Sequence, residues 1–264
     1  MKQIKTKNYD YLNQFNKRLY TNENFIQNIL NGYEKNDPAS TLVTDLLLKS
    51  VSISRCILTN LIEGYYTEAF SSWRTLHECE CSLIILEKYG DLAIQKYLRH
   101  MNFGMAFRGQ IKNKEESDKL FYSMKDEMKE LNLKSKDIKK YIEYGWLYVV
   151  PGVMEDETFK LNFRDGLEKV AGLSDCAQRY ELSSEIIHST PLLIYSNTDY
   201  FYYVTLLSLY ESFFRLEKVF VNLFARRVSQ EVFAHYEAMR KVYFAQLIAI
   251  YNRESKSFES IKRN

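Results

Sequence analysis

Two short polar motifs concentrate the side chains able to do chemistry. The first is Trp73-Arg74-Thr75-Leu76-His77-Glu78, and the second is Tyr180-Glu181-Leu182-Ser183-Ser184-Glu185-Ile186-Ile187-His188. Arg74 and Glu78 are four apart, so a helix puts them on one face a turn apart, with His77 at its border. Tyr180, Ser184 and His188 also recur every four residues, with Glu181 and Glu185 flanking their shared face. Charged groups are rarely buried without partners. The apolar flanks Phe70, Trp73, Leu76, Ile84 and Ile85 leave the first motif little polar surface. The expectation is therefore a partly or fully buried cluster in which Arg74, Glu78 and His188 meet. A guanidinium in such a cluster can hold an oxyanion such as a phosphate. A histidine whose tautomer is fixed by Tyr180 or Ser184 can move a proton near neutral pH. The same five residues can equally act as a lock between helices, and both readings stay open at this level.

Other chemistries find less support. Glu185 and His188 match the Glu-x-x-His spacing of carboxylate di-iron bundles, but that architecture needs a second such pair. The nearest candidate, Glu231 with His235, has one residue too many, so neither metal nor cofactor is expected. The four cysteines, Cys56, Cys79, Cys81 and Cys176, show no CxxC spacing and read as buried free thiols in a reducing cytosol. His100 and His235 read as exposed helix-face residues, and Arg226-Arg227 as complements to a helix C-terminus. The Tyr and Phe runs near 200–214 read as core, because a base-stacking platform needs interleaved basic residues. No phosphate-cradling glycine loop, Walker motif or nucleophile elbow occurs.

Long helices must position these residues. The chain has 264 residues with only 9 Gly and 3 Pro, against 21 Tyr and 16 Phe, which disfavours a turn-rich β architecture. It is 46% hydrophobic and 27% charged, enough to bury a sizeable core. A net charge of +2 gives no positive support for a nucleic-acid-binding surface. Asp37-Pro38 is an N-cap followed by Pro at the first helical position, and Gly64 supplies a stop. A second helix is expected from about Thr67 to Tyr89, ended by Gly90, with Asp91 capping the next. The charged stretch from Lys112 to Lys140 keeps Leu120, Phe121, Met124, Met128 and Leu131 at three-to-four spacing, predicting an exposed amphipathic hairpin. Residues 145–172 are the least regular part. A helix follows over about Ser174–His188, with Thr190-Pro191 at its end. Two long helices close the chain, about Asp199–Arg227 and, capped by Ser229, Gln230–Glu254, before a frayed tail.

The two polar motifs together resemble the bacterial domain-of-unknown-function 5677 family. Gly64-Tyr65-Tyr66-Thr67-Glu68-Ala69 leads into Arg74-Thr75-x-x-Glu78, and Tyr180, Ser184 and His188 fit its Tyr-x-x-x-Ser-x-x-x-His helix. The likeness spans about residues 40–215, and the family brings no established activity. A more distant likeness is to the helical HEPN superfamily, many of whose members are metal-independent ribonucleases or inactive relatives in toxin–antitoxin and phage-defence systems. Those enzymes place Arg and His four to six residues apart on one helix. Here Arg179 precedes His188 by nine, Arg227 precedes His235 by eight and Arg74 precedes His77 by three.

The sequence thus predicts an all-α multi-helix bundle. It is expected as a single helical domain over 1–264, with its core at about 38–111 and 173–254, a charged helical insertion at about 112–144 and an irregular loop at about 145–172. Two function classes follow. One is a phage-defence or toxin-like effector acting on RNA through Arg74, Glu78, His188, Tyr180 and Ser184, with RNA or a nucleotide as ligand. The other is a non-catalytic sensor or scaffold. The aromatic-rich C-terminal helices carry Phe213, Phe214, Phe220, Phe224, Phe233, Tyr236, Tyr243, Phe244 and Tyr251 round more than one face, which predicts a homodimer through them. The N-terminus lacks a signal-peptide core, and the apolar run from Tyr200 to Tyr210 is shorter than the ~20 residues a bilayer needs. A soluble, cytoplasmic protein is expected.

Overall fold

The structure is a computed structural model. It describes residues 37–187, 198–224 and 229–262, and from the N-terminal stretch residues 12–13, 15–17, 20–21 and 24. No strand occurs among the described residues, and the fold is an all-α assembly of packed helices. We label them α1 (Pro38–Glu63), α2 (Tyr66–Phe107), α3 (Lys114–Glu130), α4 (Ile138–Tyr144), α5 (Ala177–Ile187), α6 (Thr198–Phe224) and α7 (Gln230–Lys262). No described helix is long and apolar enough to cross a membrane. His188, Thr190-Pro191 and Arg226-Arg227 lie outside the described residues.

Local chemistry sets the helix boundaries. The Asp37 carboxylate accepts from the backbone N–H groups of Ala39 and Ser40 at 3.1 and 3.2 Å, and so caps α1. At the other end of α1 the Tyr65 N–H reaches back to the Asn60 carbonyl across Gly64. Helix α2 is interrupted at Gly90, as expected: its φ of 61° and ψ of −144° are non-helical, a positive-φ conformation open to glycine, and helix resumes from there to Phe107. Ser229 Oγ accepts from the Val232 N–H at 3.4 Å at the start of α7.

The chain divides into two compact units. The first comprises residues 1–36, 43–83 and 178–264. Its interior is built from the apolar faces of α1, the N-terminal half of α2, and α6, with Trp73, Phe70, Tyr202 and Tyr210 fully buried. The aromatic surplus of the last two helices is largely taken up inside this unit. Phe244 packs on Phe213 and Phe214, and Phe220 meets the edge of Tyr236. The tail expected to fray after Glu254 is instead helical through Lys262. Phe258 is buried there against Tyr200 and Tyr203, with ring centroids 5.5 and 6.2 Å away, and this burial stabilises the added turns.

The second unit comprises residues 37–42 and 84–177. The charged stretch forms α3, capped by Asn113 Oδ1, and α4. Its apolar positions bury as their spacing requires: Met124, Met128 and Tyr141 join Phe103 and Leu161 in one cluster. The segment expected to be irregular holds two short helical turns, a 3₁₀ turn at Gly145–Val149 and a π-helical turn at Phe163–Glu168. His100 is buried rather than exposed, because the chain from α4 into the 3₁₀ turn covers it. Cys81 and Cys176 are buried, as expected, but Cys56 is exposed.

Candidate functional site

In the first unit, α2 and α5 bring four of the five anticipated residues together. Arg74 Nε donates to Glu78 Oε1 at 3.3 Å within α2, and Arg74 Nη1 donates to Ser184 Oγ of α5 at 2.9 Å. The Tyr180 hydroxyl donates to the same Glu78 oxygen at 2.7 Å, and its ring lies under the Arg74 guanidinium, 4.8 Å from Cζ to centroid. Ser184 and Tyr180 are one turn apart on α5, so one helix face supplies both the hydroxyl and the stacking ring. The fifth residue, His188, is outside the description, and its position relative to Arg74 stays an expectation.

This outer group is open to solvent on one side. The Arg74 and Glu78 side chains are 27% and 40% exposed. Burial alone would lower the Arg74 pKa, but Tyr180 and Glu78 outweigh it and keep the guanidinium firmly charged. Partial burial, with the carboxylate of Glu78 beside it, pushes the Tyr180 phenol well above its ordinary range, so it is a neutral donor at any physiological pH. The arrangement is a cation oriented by a carboxylate, stacked on an aromatic ring and partly reachable from water.

A second network lies behind it, buried at Glu80 and His77 and reaching solvent at Arg215, and sequence reasoning missed its centre. Glu80 is fully buried on the inward face of α2. Its carboxylate accepts from Ser212 Oγ of α6 at 2.8 Å, from His77 Nδ1 at 3.3 Å and from the Arg215 guanidinium. Trp73 Nε1 donates to Ser212 Oγ at 3.1 Å, and the Trp73 ring stacks on the His77 ring at 4.9 Å. Burial alone would raise the Glu80 pKa, but the His77 hydrogen bond and the Arg215 charge hold it below the usual carboxylate range. Arg215 and Arg179 both reach Glu211, and the Tyr251 hydroxyl of α7 donates to it at 2.9 Å. The sequence signal for this network was present but diluted. Glu80 is three residues after His77, yet it stands between two cysteines in a run where Glu78 matches the family motif.

The inner network contains a further constellation. Cys81 Sγ lies 3.8 Å from His77 Nε2, and His77 Nδ1 faces Glu80. That is the order of a thiol, imidazole and carboxylate relay. All three are 0% exposed, so the thiol is out of reach of any substrate and the set works as packing and hydrogen bonding. His77 thus points inward to Glu80 rather than joining Arg74 and Glu78. Its ring is 6.2 Å from that of Tyr180, which places the two networks back to back.

Fold and site together define an all-helical protein with a part-exposed Arg–Glu–Tyr–Ser group over a network centred on the buried Glu80. Residues 40–200 match the model of the family of unknown function DUF5677, and the chain belongs to that family. No curated protein matches the chain, and no solved structure does.

Proposed function

We propose that the open Arg74 group is an anion site for a phosphodiester, and that the protein is an effector acting on RNA. The observation that supports this is the state of Arg74. It is charged, stacked on Tyr180, oriented by Glu78 through Nε and still 27% exposed. A guanidinium held in this way loses little conformational freedom when it meets a phosphate. In this reading Arg74 holds the scissile phosphate, Glu78 orients Arg74, and Tyr180 and Ser184 position the pair. His188 follows Ser184 by one helical turn's worth of sequence and serves as general base or acid for the 2′-hydroxyl.

A second reading, a non-catalytic sensor or scaffold, is favoured by a specific fact. Nε and Nη1 of Arg74 already serve Glu78 and Ser184, which is what a lock between α2 and α5 requires. One experiment separates the two. RNA degradation and RNA binding by anisotropy are measured for the full chain, Arg74→Ala and His188→Ala, alongside their melting temperatures. The effector reading expects both substitutions to lower turnover by at least about 100-fold. Wild-type protein inert toward RNA, or RNA cleavage indifferent to both substitutions, overturns it.

Self-association belongs to the same proposal. With most of the aromatics absorbed internally, α7 still exposes Val232, Met239, Val242 and Ile248. Val232, Met239 and Val242, spaced seven and three apart, share a helix face, and on that face we base a homodimer through the C-terminal helices.

A further inference from the structure

The second unit has a hollow of its own, and its chemistry differs from that of the Arg74 group. It is about 420 Å³ in volume, within the roughly 300–1,000 Å³ of small-molecule sites. One wall is the stripe Tyr97, His100, Met101, Gly104 and Met105 of the C-terminal half of α2, with Arg108 in the turn just after it. The other wall is Ile142 and Glu143 of α4 with Trp146 of the following 3₁₀ turn.

His100 is the informative residue. It is 3% exposed, yet it lines this hollow. Its Nδ1 donates to the Tyr141 carbonyl at 2.9 Å, which fixes the proton on that nitrogen and leaves Nε2 as an acceptor. Among the described residues no donor reaches Nε2. The ring is deliberately seated: a Cβ at Gly145 would come within 2.6 Å of His100 Cε1 and 2.5 Å of the Tyr141 ring. Only glycine lets α4 and its 3₁₀ turn close over the imidazole this tightly.

The remaining polar groups narrow the ligand. Arg108 lies on the wall, and among the described residues its guanidinium makes no hydrogen bond or ion pair, which leaves it open to an anion. Glu143 also lines the hollow and brings a negative charge to it, which disfavours a bare oxyanion. The ligand must bring hydroxyl or amino donors for Glu143 as well. Trp146 and Tyr97, set edge to face at 5.0 Å, together with Met101 and Met105, offer an aromatic and thioether surface to a flat ring.

We propose that this hollow binds a purine nucleoside monophosphate. The base N–H or amino group donates to His100 Nε2 and its ring lies against Trp146 and Met105. The ribose diol donates to Glu143, and the phosphate meets Arg108. This site does not rest on the RNA reading of the Arg74 group, and the two can fail separately.

Calorimetric titration of the full chain tests it with AMP and GMP as probes, and with adenosine, ribose 5-phosphate and inorganic phosphate as separate arms. Saturable binding of a nucleotide is expected, with adenosine and ribose 5-phosphate each at least about tenfold weaker. Arg108→Ala should weaken the nucleotide about tenfold and leave adenosine unchanged. Met105→Trp, which fills the hollow from an exposed position, should abolish binding. Both substitutions are on the surface, and circular dichroism checks that the helices persist. Arg74→Ala should leave nucleotide binding as it is. No saturable binding at millimolar nucleotide, equal binding of inorganic phosphate, or full binding by Met105→Trp would each overturn the proposal.

Discussion

Two glutamates two residues apart carry opposite consequences. Glu80 is sealed among His77, Ser212 and Arg215, whereas Glu78 is 40% exposed beside Arg74. Removing one partner from a buried charged network leaves the others uncompensated and typically costs about 3–5 kcal/mol. A half-exposed pair is screened and worth about 1 kcal/mol or less. Thermal melts should therefore show Glu80→Ala far more destabilised than Glu78→Ala, and equal losses would contradict the burial described here. His100 supplies a pH test. Burial lowers its pKa from the ordinary 6.5 to about 4, against the pull of the Tyr141 carbonyl and Glu127. A depressed histidine pKa means the unfolded chain binds more protons between those values. The His100 contribution is thus complete above pH 6.5 and lost as pH falls toward 4, on the order of 3 kcal/mol in all. His100→Gln keeps a donor for the Tyr141 carbonyl without titrating. Denaturant midpoints measured from pH 7 to pH 4.5 should fall less steeply for this variant than for wild type.

At the scale of elements, the last turns of α7 and the charged helices make the same point about amphipathic spacing. Phe258 is anchored on Tyr200 and Tyr203 of α6, and full burial of such a side chain contributes about 2–3 kcal/mol. Phe258→Ala should lower the melting temperature and speed amide exchange in the residues after Glu254. Unchanged exchange there would mean those turns are not held by this contact. In the second unit, Arg99 of α2 binds Glu127 of α3 through Nε at 2.7 Å, and the Tyr141 hydroxyl of α4 donates to the same carboxylate at 2.9 Å. Glu127 therefore ties three helices at one point. This contact adds to the apolar cluster of Met124, Met128 and Tyr141 in holding so charged a stretch in place.

For the whole molecule, the aromatic surplus that suggested self-association is smaller than the sequence implied, since Phe213, Phe220 and Tyr236 are buried within the first unit. The remaining exposed apolar residues of α7 are what the dimer depends on. Light scattering at micromolar concentration should give twice the 31.4 kDa of one chain. Val242→Glu, at the most exposed of them, should shift the mass toward the monomer. A wild-type mass of one chain would remove the dimer.

Sequence by itself determined the helical class, the cap at Asp37, the stop at Gly64, the start of α7 at Ser229, and the pairing of Arg74 with Glu78 on one face. These follow from rules that act within one or two turns: backbone capping, glycine conformations and the 3.6-residue period. Spacing put Tyr180 and Ser184 on one face with His188, and the contacts of Tyr180 with Glu78 and of Ser184 with Arg74 came from the packing of α5 on α2. Tertiary structure decided the rest. Whether a polar tail stays helical and whether His100 faces water depend on neighbours that come from distant parts of the chain. Glu80 is the sharpest case. Local pattern ranks it no higher than Glu78, and it becomes the centre of the inner network only because α6 delivers Ser212 and Arg215 more than a hundred residues later. A buried charge is defined by its long-range partners, and spacing along one helix does not encode them.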